Sequence, residues 1–173
     1  MGLARGFRRF FAVDGHGFEV EYVGRRGATV RSLQSEEHWE RFALLRPQLV
    51  LLHAGSNDVS SGGSPHQIAW ELLNFATDLV ASGVGHVVIG QLIRRKNWRE
   101  ISAVEGAART VMVNEVIMAE CQQCHQVSFW KHKGFMNSQE PIFRNDRVHF
   151  NDLGSYKLFR SYRGAILRAA KWL

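Results

Sequence analysis

Leu49-Val50-Leu51-Leu52-His53-Ala54-Gly55-Ser56-Asn57-Asp58 is the stretch that decides the fold. An unbroken apolar run passes into Gly55, Ser56, Asn57 and Asp58, and then into Val59-Ser-Ser-Gly-Gly-Ser64, which reads as a loop. Such a run is expected of a strand buried on both faces of a parallel sheet, with its polar residues at the carboxyl end. In open α/β sheets that end is where ligands bind, so an amide and a carboxylate placed there mark a candidate site.

Outward from this strand the chain alternates strands and helices. Upstream, Phe18-Glu-Val-Glu-Tyr-Val23 alternates apolar and polar residues and predicts a strand with one wet face, with Gly24–Val30 as the turn at its end. Leu3, Phe7, Phe10 and Phe11 recur at helical spacing and predict an amphipathic helix over Gly2–Ala12. Ser35 is placed to cap a helix whose apolar face is Trp39, Phe42 and Leu45.

Downstream, Ser64-Pro65 starts a helix that runs to about Ala81, since proline is tolerated at the first helical position. Val84 to Leu92 reads as a second buried strand, Ser102 to about Gln123 as a long helix, and Gln126 to Trp130 as a strand. Asn151-Asp152 caps a final helix with Leu153, Tyr156, Leu158, Phe159, Tyr162, Ile166 and Leu167 as its apolar face. With no repeat and no linker, the pattern predicts one α/β domain over 1–173, its parallel sheet covered on both faces.

Composition bounds the function. The 173 residues, 45% hydrophobic, suffice for a sizeable core, and two cysteines make no disulfide framework. No apolar segment approaches the ~20 residues that span a bilayer, and the basic N-terminus lacks the apolar core of a signal peptide. No membrane partner is expected, and the default location is cytoplasmic. Lys and Arg exceed Asp and Glu by 22 to 16, but in small scattered groups that read as solvated faces. Nucleic acid is left as a weak, non-specific partner, because the aromatics do not interleave with the charges. Cys121-Gln-Gln-Cys124-His125 has the spacing of a haem attachment site, yet it ends a predicted helix, and two core-facing thiols are the expectation. The histidines lack a metal-ligand spacing. His53, beside the glycine of the organising stretch, stands where it would contact a ligand.

Three places carry chemistry: Gly27 after the first strand, Gly55 and Asn57 after the second, and Asp146 with His149 before the last helix. A carboxylate three residues from a histidine can hold one ring nitrogen and leave the other as a general base. The Asn57 amide and the Gly27 backbone N–H suit a developing oxyanion, where one donor is worth about 3 kcal/mol.

Gly55-Ser-Asn57-Asp58 and Asp146-Arg-Val-His149, the latter running into the last helix, resemble the GxND and DxxH blocks of the SGNH (GDSL-type) hydrolases. Gly27 fits that family's glycine block, and the resemblance covers almost the whole chain. It implies a flavodoxin-like three-layer α/β/α sandwich and a serine esterase on a small ester or an acylated glycan, needing no metal or organic cofactor. It also implies that Asp146 orients, His149 is the base, and Gly27 and Asn57 with the Gly55 block bind the oxyanion. The family's first block, a Gly-Asp-Ser carrying the nucleophile, has no counterpart, and no serine precedes Ser32. By resemblance the absent strand is an interior one, so Phe18–Val23 and Leu49–His53 are expected to flank an empty slot in a truncated, inactive chain. The competing expectation is a non-catalytic module that binds glycan or nucleic acid through the remnant pocket or the basic surface.

Overall fold

The computed structural model describes residues 17–135 and 141–173; the helix expected over Gly2–Ala12 lies outside them. A 3-10 turn at Arg31–Gln34 leads into α1 (Glu36–Leu45), β1 (Leu49–Leu52), the short α2 (Ser56–Ser60) and α3 (Pro65–Ala81). Then come β2 (His86–Gly90), α4 (Ala103–Cys121), β3 (Val127–Trp130), α5 (Asp152–Ala169) and a last 3-10 turn, Ala170–Trp172. The three strands form one parallel sheet in the order β1-β2-β3, with Leu49 opposite His86 and Val87 opposite Val127.

Side chains alternate across the sheet as the two-residue period requires. Leu52, Val87, Ile89 and Val127 face α3 and α4, where they meet Leu72, Phe75, Leu79, Val113 and Ile117. On the opposite face Val88, with Leu49, Leu51 and Trp130, packs against Ala165 and Ala169 of α5. Burying each large apolar side chain is worth about 1.5–3 kcal/mol, so these two layers hold the sheet between helices. Trp39 and Phe42 add α1 to the first layer by meeting Phe75 edge-on, with ring centroids 5.7 and 6.3 Å away.

The helix ends follow from local chemistry. Ser102 accepts the backbone N–H of Glu105, and Asn151 accepts that of Gly154, each satisfying a donor the helix leaves orphaned. Asn114, buried on α4, donates to Leu92 O and accepts from Leu92 N at 2.9 and 2.8 Å, clamping the helix to the chain leaving β2.

Several expectations need correction. Phe18–Val23 forms no strand. Its burial alternates only as far as Glu21: Phe18 and Val20 pack against Phe159, Ile166 and Leu49, whereas Tyr22 is 60% exposed. The period was therefore right for Phe18 and Val20 and wrong for Tyr22; a strand also needs a neighbour for its backbone, and none of the described strands pairs with it. Among the described residues β1 has a neighbour on one side only, and three of its four residues are half-exposed where every residue of β2 is buried. Val59 and Ser60, expected to begin a loop, end the short helix Ser56–Ser60 instead. Ser35 stands at the start of α1, yet its hydroxyl meets His38 Nδ1 at 2.8 Å and caps no backbone N–H. Leu45, Leu153 and Tyr156 lie toward solvent, because each apolar face is narrower than its sequence suggested. Of the two cysteines only Cys121 is buried; Cys124 is exposed beyond the end of α4.

Candidate active site

Gly55 is the pivot of the site. It turns the chain from β1 into α2 at φ +104°, a conformation that L side chains rarely adopt. A Cβ there would also stand 3.1 Å from Leu92 and 3.2 Å from Leu72. The tight turn sets Asn57 and Asp58 at the carboxyl end of β1. Asn57 Nδ2 donates to Ala28 O at 2.8 Å, and its Oδ1 accepts from Arg95 Nη2 at 3.1 Å. Asp58 accepts the backbone N–H of Val30, with each oxygen at 3.2 Å. Burial pushes the Asp58 carboxyl above its ordinary range, opposed by the N–H groups of Val30 and of Asp58 itself. Gly27, exposed at φ +72°, lies in the turn just ahead of the two residues that these bonds fasten.

The Asp146–His149 loop is closed at its base. Phe143 and Phe150 bridge in antiparallel fashion, their rings stacked 5.0 Å apart, and Arg144 N donates to His149 O. Within the loop Asp146 Oδ1 accepts the backbone N–H groups of Val148 and His149 at 2.8 and 2.9 Å, while Oδ2 meets His149 Nδ1 at 2.7 Å. These donors hold the Asp146 carboxyl well below the usual carboxylate range, the His149 and Val148 backbone N–H groups contributing most. Arg147 takes the left-handed conformation, φ +58°, that so short a loop demands. The imidazole stands largely in solvent.

The segment after β2 joins the two halves. Arg95 bonds Asn57, Lys96 N donates to Arg147 O at 3.1 Å, and Asn97 Nδ2 reaches Asp146 O at 3.4 Å. Asn57 and the Asp146–His149 pair thus stand on one connected rim, with Gly27 beside it. Asp58 was read with Asn57 as the polar end of the strand but without a role of its own, and Arg95 was read only as one of the scattered basic groups.

Below the rim, His53 has partners within the chain for both ring nitrogens. Its Nδ1 accepts the Tyr162 hydroxyl and its Nε2 donates to Gln91 O at 3.0 Å, which uses both ring nitrogens. Burial pushes its pKa down to about 4. His132 lies beside it, with Nδ1 on the Ser161 hydroxyl, which in turn accepts from Trp130 Nε1.

Among the described residues no three His, Cys, Asp or Glu side chains come together to hold a metal. Burial pushes the Cys121 thiol up to about 12, which removes it as a nucleophile. A cavity of about 370 Å³ at the outer edge of β3, beside Trp130, Lys131 and Arg168, includes none of the rim residues.

Residues 2–157 match the model of the GDSL-like lipase/acylhydrolase family. Solved structures share the fold. A carbohydrate esterase family 3 protein from Talaromyces cellulolyticus superposes with a TM-score of 0.71 at 18% identity, over 91% of this chain and 75% of that one. A GDSL-like lipase from Bacteroides thetaiotaomicron VPI-5482 gives 0.68 at 20% identity, covering 97% and 83%. The Clostridium thermocellum family 3 carbohydrate esterase gives 0.67 at 16% identity, covering 95% and 88%. The curated proteins contain no match.

Proposed function

The chain belongs to the GDSL-like lipase/acylhydrolase family, and from that premise we propose that its rim is an ester-hydrolase site that lacks its own nucleophile. The reading is carried by one observation: the Asp146–His149 pair is tied through residues 95–97 to Asn57. In acyl transfer His149 Nε2 takes the proton of an attacking hydroxyl and returns it to the leaving alcohol, while Asp146 fixes the ring by accepting from Nδ1. The Asn57 amide and the Gly27 backbone N–H donate to the oxyanion that forms on the carbonyl oxygen. Asn57 must give up its bond to Ala28 O or use its second N–H for this. The substrate is a small ester or an acylated glycan, the latter in keeping with two fold neighbours named as carbohydrate esterases.

The sequence has no Gly-Asp-Ser block and no serine before Ser32. The 173-residue chain alone therefore forms no acyl-enzyme and binds esters without turning them over. Hydrolysis of p-nitrophenyl acetate by the purified chain is expected to equal that of His149→Ala. Turnover that His149→Ala abolishes would overturn the missing-nucleophile part. The site itself is tested by NMR titration of the labelled chain with acetylglycerol: saturable shifts at the Asn57 amide and the His149 ring are expected, and their absence would end the reading.

A further inference from the structure

Arg95 is half-buried on the rim, and its only described side-chain partner is neutral, the Asn57 amide oxygen. Among the described residues it makes no ion pair. The two carboxylates at the site are already engaged: Asp58 holds the Val30 N–H, and Asp146 holds Val148 and His149. A guanidinium has five N–H donors in a planar fork, so most of this one's capacity is unspent. Next to it, Arg94 Nε is buried without a partner. Burial and the nearby Arg99 charge both push the Arg95 pKa down, as expected of a cation short of negative charge. Surface arginines avoid this condition by staying in water; Arg95 is kept in it by Asn57 and by the contacts of its neighbours Lys96 and Asn97 with the Asp146 loop.

We propose that Arg95 recognises an oxyanion on the substrate, so that the esters this site takes carry a carboxylate or phosphate group close to the scissile bond. This rests on the ester-site reading above and specifies its substrate. The planar fork offers two parallel N–H bonds to such a group, while the ester carbonyl lies toward Asn57. Charge of this kind also raises the local concentration of anionic ligands before contact is made.

The test compares matched esters on the full chain. Monomethyl succinate is set against its neutral isostere methyl succinamate, and acetylglycerol phosphate against acetylglycerol. Affinities are read from the Asn57 amide and His149 ring resonances. The charged member of at least one pair is expected to bind about tenfold more tightly or better, and the pair that shows it identifies carboxylate or phosphate as the group. Arg95→Gln should bring that ratio to within about twofold and Arg95→Lys should leave it intermediate, because an ammonium keeps the charge but not the fork. Lys171→Gln, the same charge change at an exposed site on the terminal turn, should leave the ratio intact. Equal binding of charged and neutral esters, or a preference that survives Arg95→Gln, overturns the proposal. If no ester moves either resonance, the ester-site reading falls and this inference falls with it.

Discussion

Gly90 shows how closely the structure beneath the rim is fitted. A Cβ added there would lie 3.1 Å from His132 Nε2 and 3.3 Å from the His53 ring, and both rings are held by hydrogen bonds that limit their retreat. Gly90→Ala is expected to cost about 1–3 kcal/mol, as overpacking does. Urea unfolding would read this as a lower midpoint at unchanged slope, and an unshifted midpoint would show that the rings move freely. Legibility at this scale was uneven for a physical reason. Asp146, His149 and Asn57 stood out only in combination, as the GxND and DxxH pattern on successive elements, because an Asn or Asp at a strand end taken singly is an ordinary turn residue. Arg95 looked like any surface arginine, since its partner Asn57 lies 38 residues earlier and only the fold brings them together. His53 shows the same limit: only the fold reveals that its Nδ1 is engaged by Tyr162, 109 residues away in sequence.

Among the elements, α4 depends on a side chain that periodicity treats as a polar intruder. Asn114 satisfies both the N–H and the C=O of Leu92 in a buried place. Asn114→Ala leaves both backbone groups unpaired and is expected to cost about 2–4 kcal/mol, counting roughly 1–3 for each stranded group with partial rescue by water. Asn114→Asp keeps the acceptor but not the donor, and denaturant melts should place it between the two. An alanine variant as stable as the parent would mean that Leu92 finds other partners. The helices were well read in the sequence, because Ser64-Pro65, Ser102 and Asn151 carry their own boundary chemistry. Phe18–Val23 was not, because strand formation depends on a backbone partner elsewhere in the chain, and without one the alternation holds only as far as Glu21.

At the scale of the molecule, the buried histidines make stability depend on pH. Burial holds His53 at about 4 and His132 at about 3, the latter also by repulsion from His53, so both are neutral in the folded chain at neutral pH. Unfolded, each takes up a proton below about 6.5, so their contribution is complete above that pH and is lost as pH falls toward the folded values. Each proton lowers stability by up to ~1.4 kcal/mol per pH unit within that window. The urea midpoint should therefore fall between pH 7 and pH 5, and His53→Phe should flatten the dependence; a midpoint constant over that range would refute the assignment. The three-layer α/β/α architecture was legible throughout, because apolar runs bounded by helix signals admit few other arrangements. The strand expected on the other side of β1, Phe18–Val23, does not form, and among the described residues β1 pairs with β2 alone. One earlier detail reaches furthest. The bonds from Asn57 to Ala28 and from Asp58 to Val30 stitch together segments 29 and 28 residues apart. An occupant that draws Asn57 toward itself must therefore slacken the glycine turn as well, so solvent would reach the Val30 amide proton faster, and deuterium uptake at that one position would report occupancy from a place no ligand atom touches.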